Sequence, residues 1–323
     1  MSDSNADDIA ALARHPEHPQ DRESAEEQVE ARESDNEGED ESAPPTLPSI
    51  MSRDDPRRMM LTREEQWNAL DIKATIEEGH PEIDNLSDFW YAQLAIVCHD
   101  NVDDAVQRAQ ALQHFRQEYA IADTLSEGYR AIKDLVELFP GAFLSNYFNE
   151  EVGIHVLVHD HSKYETSSLK TPEKVRKWFV GLYYMSQSGA PDFESIRKGF
   201  LSMVECGHVR YSMKQDFKLM HEMFSQLLSV YPTNASLWHY NTGVVFNLMA
   251  TMMKKALPRH LRDKFRVGLT TAGGMSLNDI FLVPNSDAAA ERVLLGIQAT
   301  LKKRAENESR FSLADDSLIF EDG

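Results

Sequence analysis

Three histidines, His155, His159 and His161, stand at even spacings beside Asp160. In an extended chain they share parity, so their imidazoles face one side. Imidazoles gathered on one face are the ligands that zinc and related metals favour. Same-face residues of a single strand splay rather than converge, however, and no second ligand cluster lies elsewhere in the chain. No metal site is expected. Cys206 and Arg210 frame a second motif, Cys-Gly-His-Val-Arg. A cysteine loop that cradles phosphate needs about five residues between Cys and Arg, so that successive amides wrap the anion. This loop is too short, and Cys206 reads as a buried cysteine at a strand end. G-x-S-x-G, the Walker lysine loop and G-x-G-x-x-G do not occur. Nothing assembles a nucleophile, a base and an oxyanion hole, so neither a catalytic residue nor a cofactor is expected.

The elements that must position such side chains occupy only part of the 323 residues. Residues 1–50 hold 15 Asp and Glu against three Arg, a net charge of −12 out of −20 for the whole chain. That segment has no aromatic residue, so it cannot bury enough apolar surface to offset its ordering entropy. It reads as a disordered acidic tail, ended by the stiff linker Ala43-Pro44-Pro45-Thr46-Leu47-Pro48. Two cysteines, Cys98 and Cys206, cannot make a disulfide framework or a structural zinc site, which favours a reducing compartment. No apolar stretch approaches the ~20 residues of a spanning helix. The first residues lack the basic and apolar regions of a secretory leader. A pI near 5.0 argues against nucleic acid as a partner. A cytoplasmic monomer is expected.

Thr62-Arg-Glu-Glu65 is a capping box that opens a helix reaching about Glu78. Helical patterns continue over 87–98, 102–119 and 124–138, giving an all-helical block over 61–138 without a strand signal. After Pro140-Gly141 the pattern alternates. Strand-like segments are predicted at 153–160, 199–206, 235–241 and 264–267. Helices are predicted over 171–187, 212–231, 244–257 and 287–307. Strands separated by helices indicate an α/β layer with a mostly parallel or mixed sheet. The resulting division is an acidic tail and linker (1–60), a helical N-terminal domain (61–138), a sheet-containing domain (139–285), and a C-terminal helix with a frayed tail (286–323).

The helix Val244–Leu257 carries Phe246, Leu248, Met249, Met252, Met253 and Leu257 over more than half its circumference. Such a helix is either buried on two sides or a movable wall of an apolar cavity, where pliable thioethers repack around a ligand. Just beyond it, Lys254, Lys255, Arg259, Arg262, Lys264 and Arg266 face only Asp263. That cluster suits an anionic membrane or a phosphorylated head group.

From Leu227 to Gly268 the chain reads LLSVYPTNASLWHYNTGVVFNLMATMMKKALPRHLRDKFRVG. This stretch resembles the CRAL-TRIO family of cytosolic lipid carriers. The likeness rests on a helix ending in Tyr231-Pro232, a strand ending in Asn241, an apolar gate helix with Phe246 and Leu257, a basic turn with Lys264, and a strand closed by Gly268. Upstream, Phe139-Pro140-Gly141, GIHVLVHDHSKYE (153–165) and GFLSMVECG (199–207) are similar to that family's entry strand and second strand. The resemblance covers about residues 62–285. It implies a helical N-terminal domain, then a mixed sheet flanked by helices that enclose an apolar pocket roofed by the gate helix. By position the implied lining is Trp178, Phe200, Ser202, Val204, Met220, Met223, Leu227, Phe246, Met249 and Met253. Lys254, Lys255, Arg259, Arg262 and Lys264 would meet the membrane or head group. The implied function is non-enzymatic binding and intermembrane transfer of one hydrophobic lipid or phospholipid, with transient docking on anionic membranes. The alternative is a protein-interaction adaptor of the same fold with a vestigial pocket. Val204 stands where the family often has an acid, with Glu205 one place on. The wall there is therefore expected to be drier.

Overall fold

In the computed structural model the described residues are 51–84, 86–164, 169–207, 236–256, 262, 264–281 and 286–320. The expected helix over 212–231, with Met220, Met223 and Leu227, lies outside them, as does Arg259.

The capping box at Thr62 forms as its sequence requires. Thr62 Oγ1 accepts from the Glu65 N–H at 3.1 Å, and Glu65 Oε2 accepts from the Thr62 N–H at 2.8 Å. The elements run in chain order as β1 (Leu61–Thr62), α1 (Arg63–Gly79), α2 (Asp88–Cys98), α3 (Val102–Glu118), α4 (Leu125–Leu138), β2 (Phe143–Asn149) and β3 (Ile154–Asp160). They continue as α5 (Pro172–Ser188), α6 (Phe193–Lys198), β4 (Leu201–Glu205), β5 (Ser236–Tyr240), α7 (Val244–Ala256), β6 (Phe265–Leu269), α8 (Leu277–Ile280), α9 (Ser286–Arg310) and β7 (Ile319–Phe320). Asn101, Thr124 and Thr171 cap α3, α4 and α5 through their side chains, and Pro172 sits at the first helical position of α5, where its missing N–H costs nothing.

Five strands form one sheet in strict chain order, β2-β3-β4-β5-β6. The β2–β3 pair is antiparallel and the pairs from β3 to β6 are parallel. The fold is thus mixed α/β, with a mixed central sheet flanked by helices. Leu157 lies opposite Ser202, which lies opposite Leu237; His159 lies opposite Val204, which lies opposite His239. These residues share one face because side chains alternate along a strand. Val156, Val158, Leu201, Met203, Trp238 and Tyr240 take the other face, packed with Leu277 and Phe281.

The helical block and the sheet layer share their packing. Phe89 of α2 stacks on Phe193 of α6 at 4.9 Å and meets Phe311 edge-on at 6.3 Å. Trp90, Leu135, Tyr184 and Ile297 belong to a second cluster that joins α2, α4, α5 and α9 to Phe143 of β2. Helices α4 and α5 approach closely at Gly181, where an added Cβ would stand 2.6 Å from Leu135 Cβ.

Two expectations change. Residues 61–62 form a strand, and the chain end is not frayed. Phe311, Leu313 and Ile319 are buried, and β7 pairs in parallel with β1. Leu313 is tied at both backbone groups: its N–H donates to Asp88 Oδ2 at 3.0 Å, and its C=O accepts from Gln66 Nε2 at 2.9 Å. Three apolar side chains among acids suffice when α1 and α2 offer partners.

Candidate functional site

The sheet face bearing His159, Ser202, Val204 and His239 is the candidate site. Parity places Ser202 and Val204 together there, and both are buried. Trp178 of α5 is buried on the same side of the sheet, in the cluster that takes in Leu157 and Phe143. Phe246 of α7 lies over the face, its ring 5.1 Å from His239 and 6.4 Å from His161. Phe200 does not join this group closely. It is half-buried ahead of β4, against Gly189, where a Cβ would meet its ring at 2.6 Å.

Rings form a continuous shell between these residues. Tyr164 lies 5.7 Å from His159, 5.4 Å from His161 and 4.7 Å from Phe139. Phe139 in turn lies 6.3 Å from Trp178. His159 Nε2 is 2.7 Å from Ser202 Oγ. His239 Nδ1 donates to the Arg266 carbonyl at 3.2 Å, which assigns the proton to that nitrogen because a carbonyl only accepts. Burial pushes both imidazoles down to about 3, with nearby histidines adding to the effect. Burial likewise drives the Tyr164 phenol far above its ordinary range. His159 and Tyr164 nonetheless keep accessible surface and are only half-buried by area.

Of the three histidines, His155 stands apart, whereas His159 and His161 both pack on Tyr164. His155 packs on Phe148 at the far end of β3, 5.1 Å between rings, and burial pushes it down to about 4. Four residues of strand separate it from His159 by about 13 Å. Among the described residues no group of three His, Cys, Asp or Glu could hold a metal ion. Cys206 is buried just past β4 and its thiol is pushed up by burial, with Glu205 and Asp160 adding to the shift.

Glu205 belongs to the opposite face. Its Oε2 accepts from the Leu277 N–H at 2.7 Å, its Oε1 from the Gly207 N–H at 2.8 Å, and Asn241 Nδ2 donates to both. Asp160 takes the same face and accepts from Asn278 Nδ2 at 2.8 Å. These two acids pin the segment around α8 across the strand ends. Glu205 therefore does not replace an acid at position 204: one step along a strand reverses the face. An open cleft of about 460 Å³ lies beside Glu205, Asn241 and Asp279. It is polar and touches none of the residues named for the apolar pocket.

Helix α7 has two apolar sides. Phe246 and Ala250 are buried at 2% and 1% exposure, whereas Val244 and Leu248 are exposed at 87% and 57%. The alternative of a core helix buried on two sides is excluded by Val244 and Leu248. The side chains of Met249, Met253 and Lys255 lie outside the description. Of the basic cluster, Lys254 is half-buried near the end of α7, and Arg262 and Arg266 are exposed. Lys264 is half-buried, and burial followed by repulsion from Arg108 lowers its pKa, so it does not share the open surface of Arg262. Arg266 lies over Trp238, 5.1 Å from the ring.

His159, His239 and Tyr164 had no place in the sequence-derived lining. Strand parity alone would have put the two histidines beside Val204, but only once the register between β3, β4 and β5 was known. No helix among the described residues is long and apolar enough to cross a membrane. A scan of protein-family models finds none that matches the chain, and a search of curated proteins finds no match either.

Proposed function

We propose that this chain is a CRAL-TRIO-like carrier that binds one hydrophobic lipid under α7 and moves it between membranes without chemistry. The observation that carries the reading is α7 itself. Its buried side closes over the sheet face through Phe246, and its outer side offers Val244 and Leu248 to an apolar phase. An exposed pair of this kind, with the exposed Arg262 farther along the chain, suits brief docking of a monomer at an anionic bilayer. The mixed sheet flanked by helices is also of the kind that the resemblance implies.

The mechanism is a population shift. At the membrane α7 swings away and admits one lipid; in solution it closes and shields the acyl chain. Each methylene transferred from water to a dry interior is worth ~0.8 kcal/mol, so a single chain supplies ample driving force for retention. The carrier would work from the cytoplasm and visit membranes transiently.

The test uses Val244→Asp together with Leu248→Asp. Both positions are exposed, so folding stability is expected to stay within about 0.5 kcal/mol of the parent. Flotation with phosphatidylserine-containing vesicles should show binding reduced about tenfold or more, since two apolar contacts become charges. Lipid uptake from those vesicles should fall in step. Unchanged binding and uptake would exclude α7 as the docking element.

A further inference from the structure

Helix α1 is apolar on two sides. Ala69, Ile72 and Ile76 turn inward, each fully buried, and pack with residues of α2 and α3. Trp67 and Leu70 lie on the outer side at 64% and 42% exposure, with the exposed Ala74 one turn on. At 3.6 residues per turn these three fall within an arc of about 60°. Single apolar residues on a surface are ordinary. A tryptophan in line with a leucine and an alanine is instead a stripe on which a second helix can lie, anchored by the indole.

Charge decides what lies there. Glu64, Asp71 and Glu78 border one flank of the stripe, and all three are exposed. Among the described residues none of them has an ion-pair partner. The bases of the same helix are already engaged, since Arg63 lies 3.6 Å from Asp316 and Lys73 donates to Asp88 at 2.8 Å. The stripe is therefore edged with uncompensated negative charge. A second copy of the chain would add acid to acid, and an anionic bilayer would be repelled. An apolar helix edged with lysine or arginine satisfies both the stripe and its border, as flanking charges do in paired helices.

We propose that the outer face of α1 docks an amphipathic helix with a basic border, contributed by a partner protein. Trp67 and Leu70 form the anchor, and Glu64, Asp71 and Glu78 select the partner's sign. This surface shares no residue with the sheet face or α7, so the inference stands apart from the carrier reading.

The experiment titrates full-length protein into two labelled peptides of about four helical turns, followed by fluorescence anisotropy. Both carry a leucine stripe; lysines border it in one and glutamates in the other. The lysine peptide should bind about tenfold or more tightly than the glutamate peptide. Trp67→Glu with Leu70→Glu should weaken that binding about tenfold or more, although the variant gains two negative charges. Equal or tighter binding by this variant would reduce the effect to general attraction by an acidic chain and overturn the proposal. Glu64→Gln, Asp71→Asn and Glu78→Gln together should also weaken binding and flatten its salt dependence. This second variant decides alone should the first lose its helical circular dichroism. Equal binding of both peptides, or of neither, would overturn the basic partner. A dimer of the parent protein that the first variant abolishes would assign the face to a second copy and overturn it as well.

Discussion

Replacing Asp192 with alanine is expected to lower the unfolding free energy by about 3–5 kcal/mol, because it leaves a buried guanidinium without its anion. Arg58 and Asp192 are 1% and 2% exposed, and Arg58 Nε donates to Asp192 Oδ2 at 3.0 Å. Arg58 Nη2 also donates to Ser195 Oγ at 2.9 Å, and the guanidinium lies 4.9 Å from the centre of the Phe148 ring. Asp192 serves a second purpose, since its Oδ1 caps α6 by accepting from the Ser195 N–H at 2.8 Å. The pair fixes the segment before β1 to α6 and β2, beside His155. Urea unfolding checks the loss. The double replacement Arg58→Met with Asp192→Leu should recover more than about half of it, because two apolar side chains leave no stranded charge. A loss below about 1 kcal/mol in the single variant would mean that water reaches Arg58.

Acid should destabilise the protein well before its carboxylates titrate. His155 is held down to about 4, and His159 and His239 to about 3, in each case chiefly by burial. An unfolded histidine takes up its proton near pH 6.5, whereas these folded ones refuse it until much lower pH. The unfolded state therefore binds more protons across that window, and stability rises with pH through it. Stability is complete above about pH 6.5 and declines as pH falls toward about 4 and then 3, by about 1–2 kcal/mol per histidine near pH 5. Urea midpoints measured from neutral pH downward should follow this course. The slope should flatten in a His159→Phe, His239→Phe variant. A flat profile in the parent protein would contradict neutral, buried imidazoles, and with them the uncharged sheet face.

Local chemistry was legible where it is self-contained. The capping box at Thr62 and the Thr171-Pro172 helix start could be read directly, because their partners lie within one turn. Strands β3 and β4 were legible from β-branched and apolar content. Strand β2 was not, since Ser145, Asn146 and Asn149 interrupt its pattern; it is held by its antiparallel pairing with β3 and by α9 packed against it. The chain end was misread for a similar reason, as Phe311 finds Phe89 and Phe193 only in three dimensions. Within the site, Ser202 and Val204 share one face and Glu205 takes the other, as alternation along a single strand requires. Alternation could not set His159 and His239 on either side of Val204, because that depends on the register of three strands. It also could not distinguish the two sides of α7, whose apolar residues cover more than half its circumference.

The most direct test of lipid carriage is native mass spectrometry on the purified chain, followed by organic extraction and lipid identification. The carrier reading predicts a mass raised by one lipid per chain, with a single lipid class in the extract. An unliganded mass that persists after incubation with mixed liposomes would contradict it and favour the adaptor of the same fold.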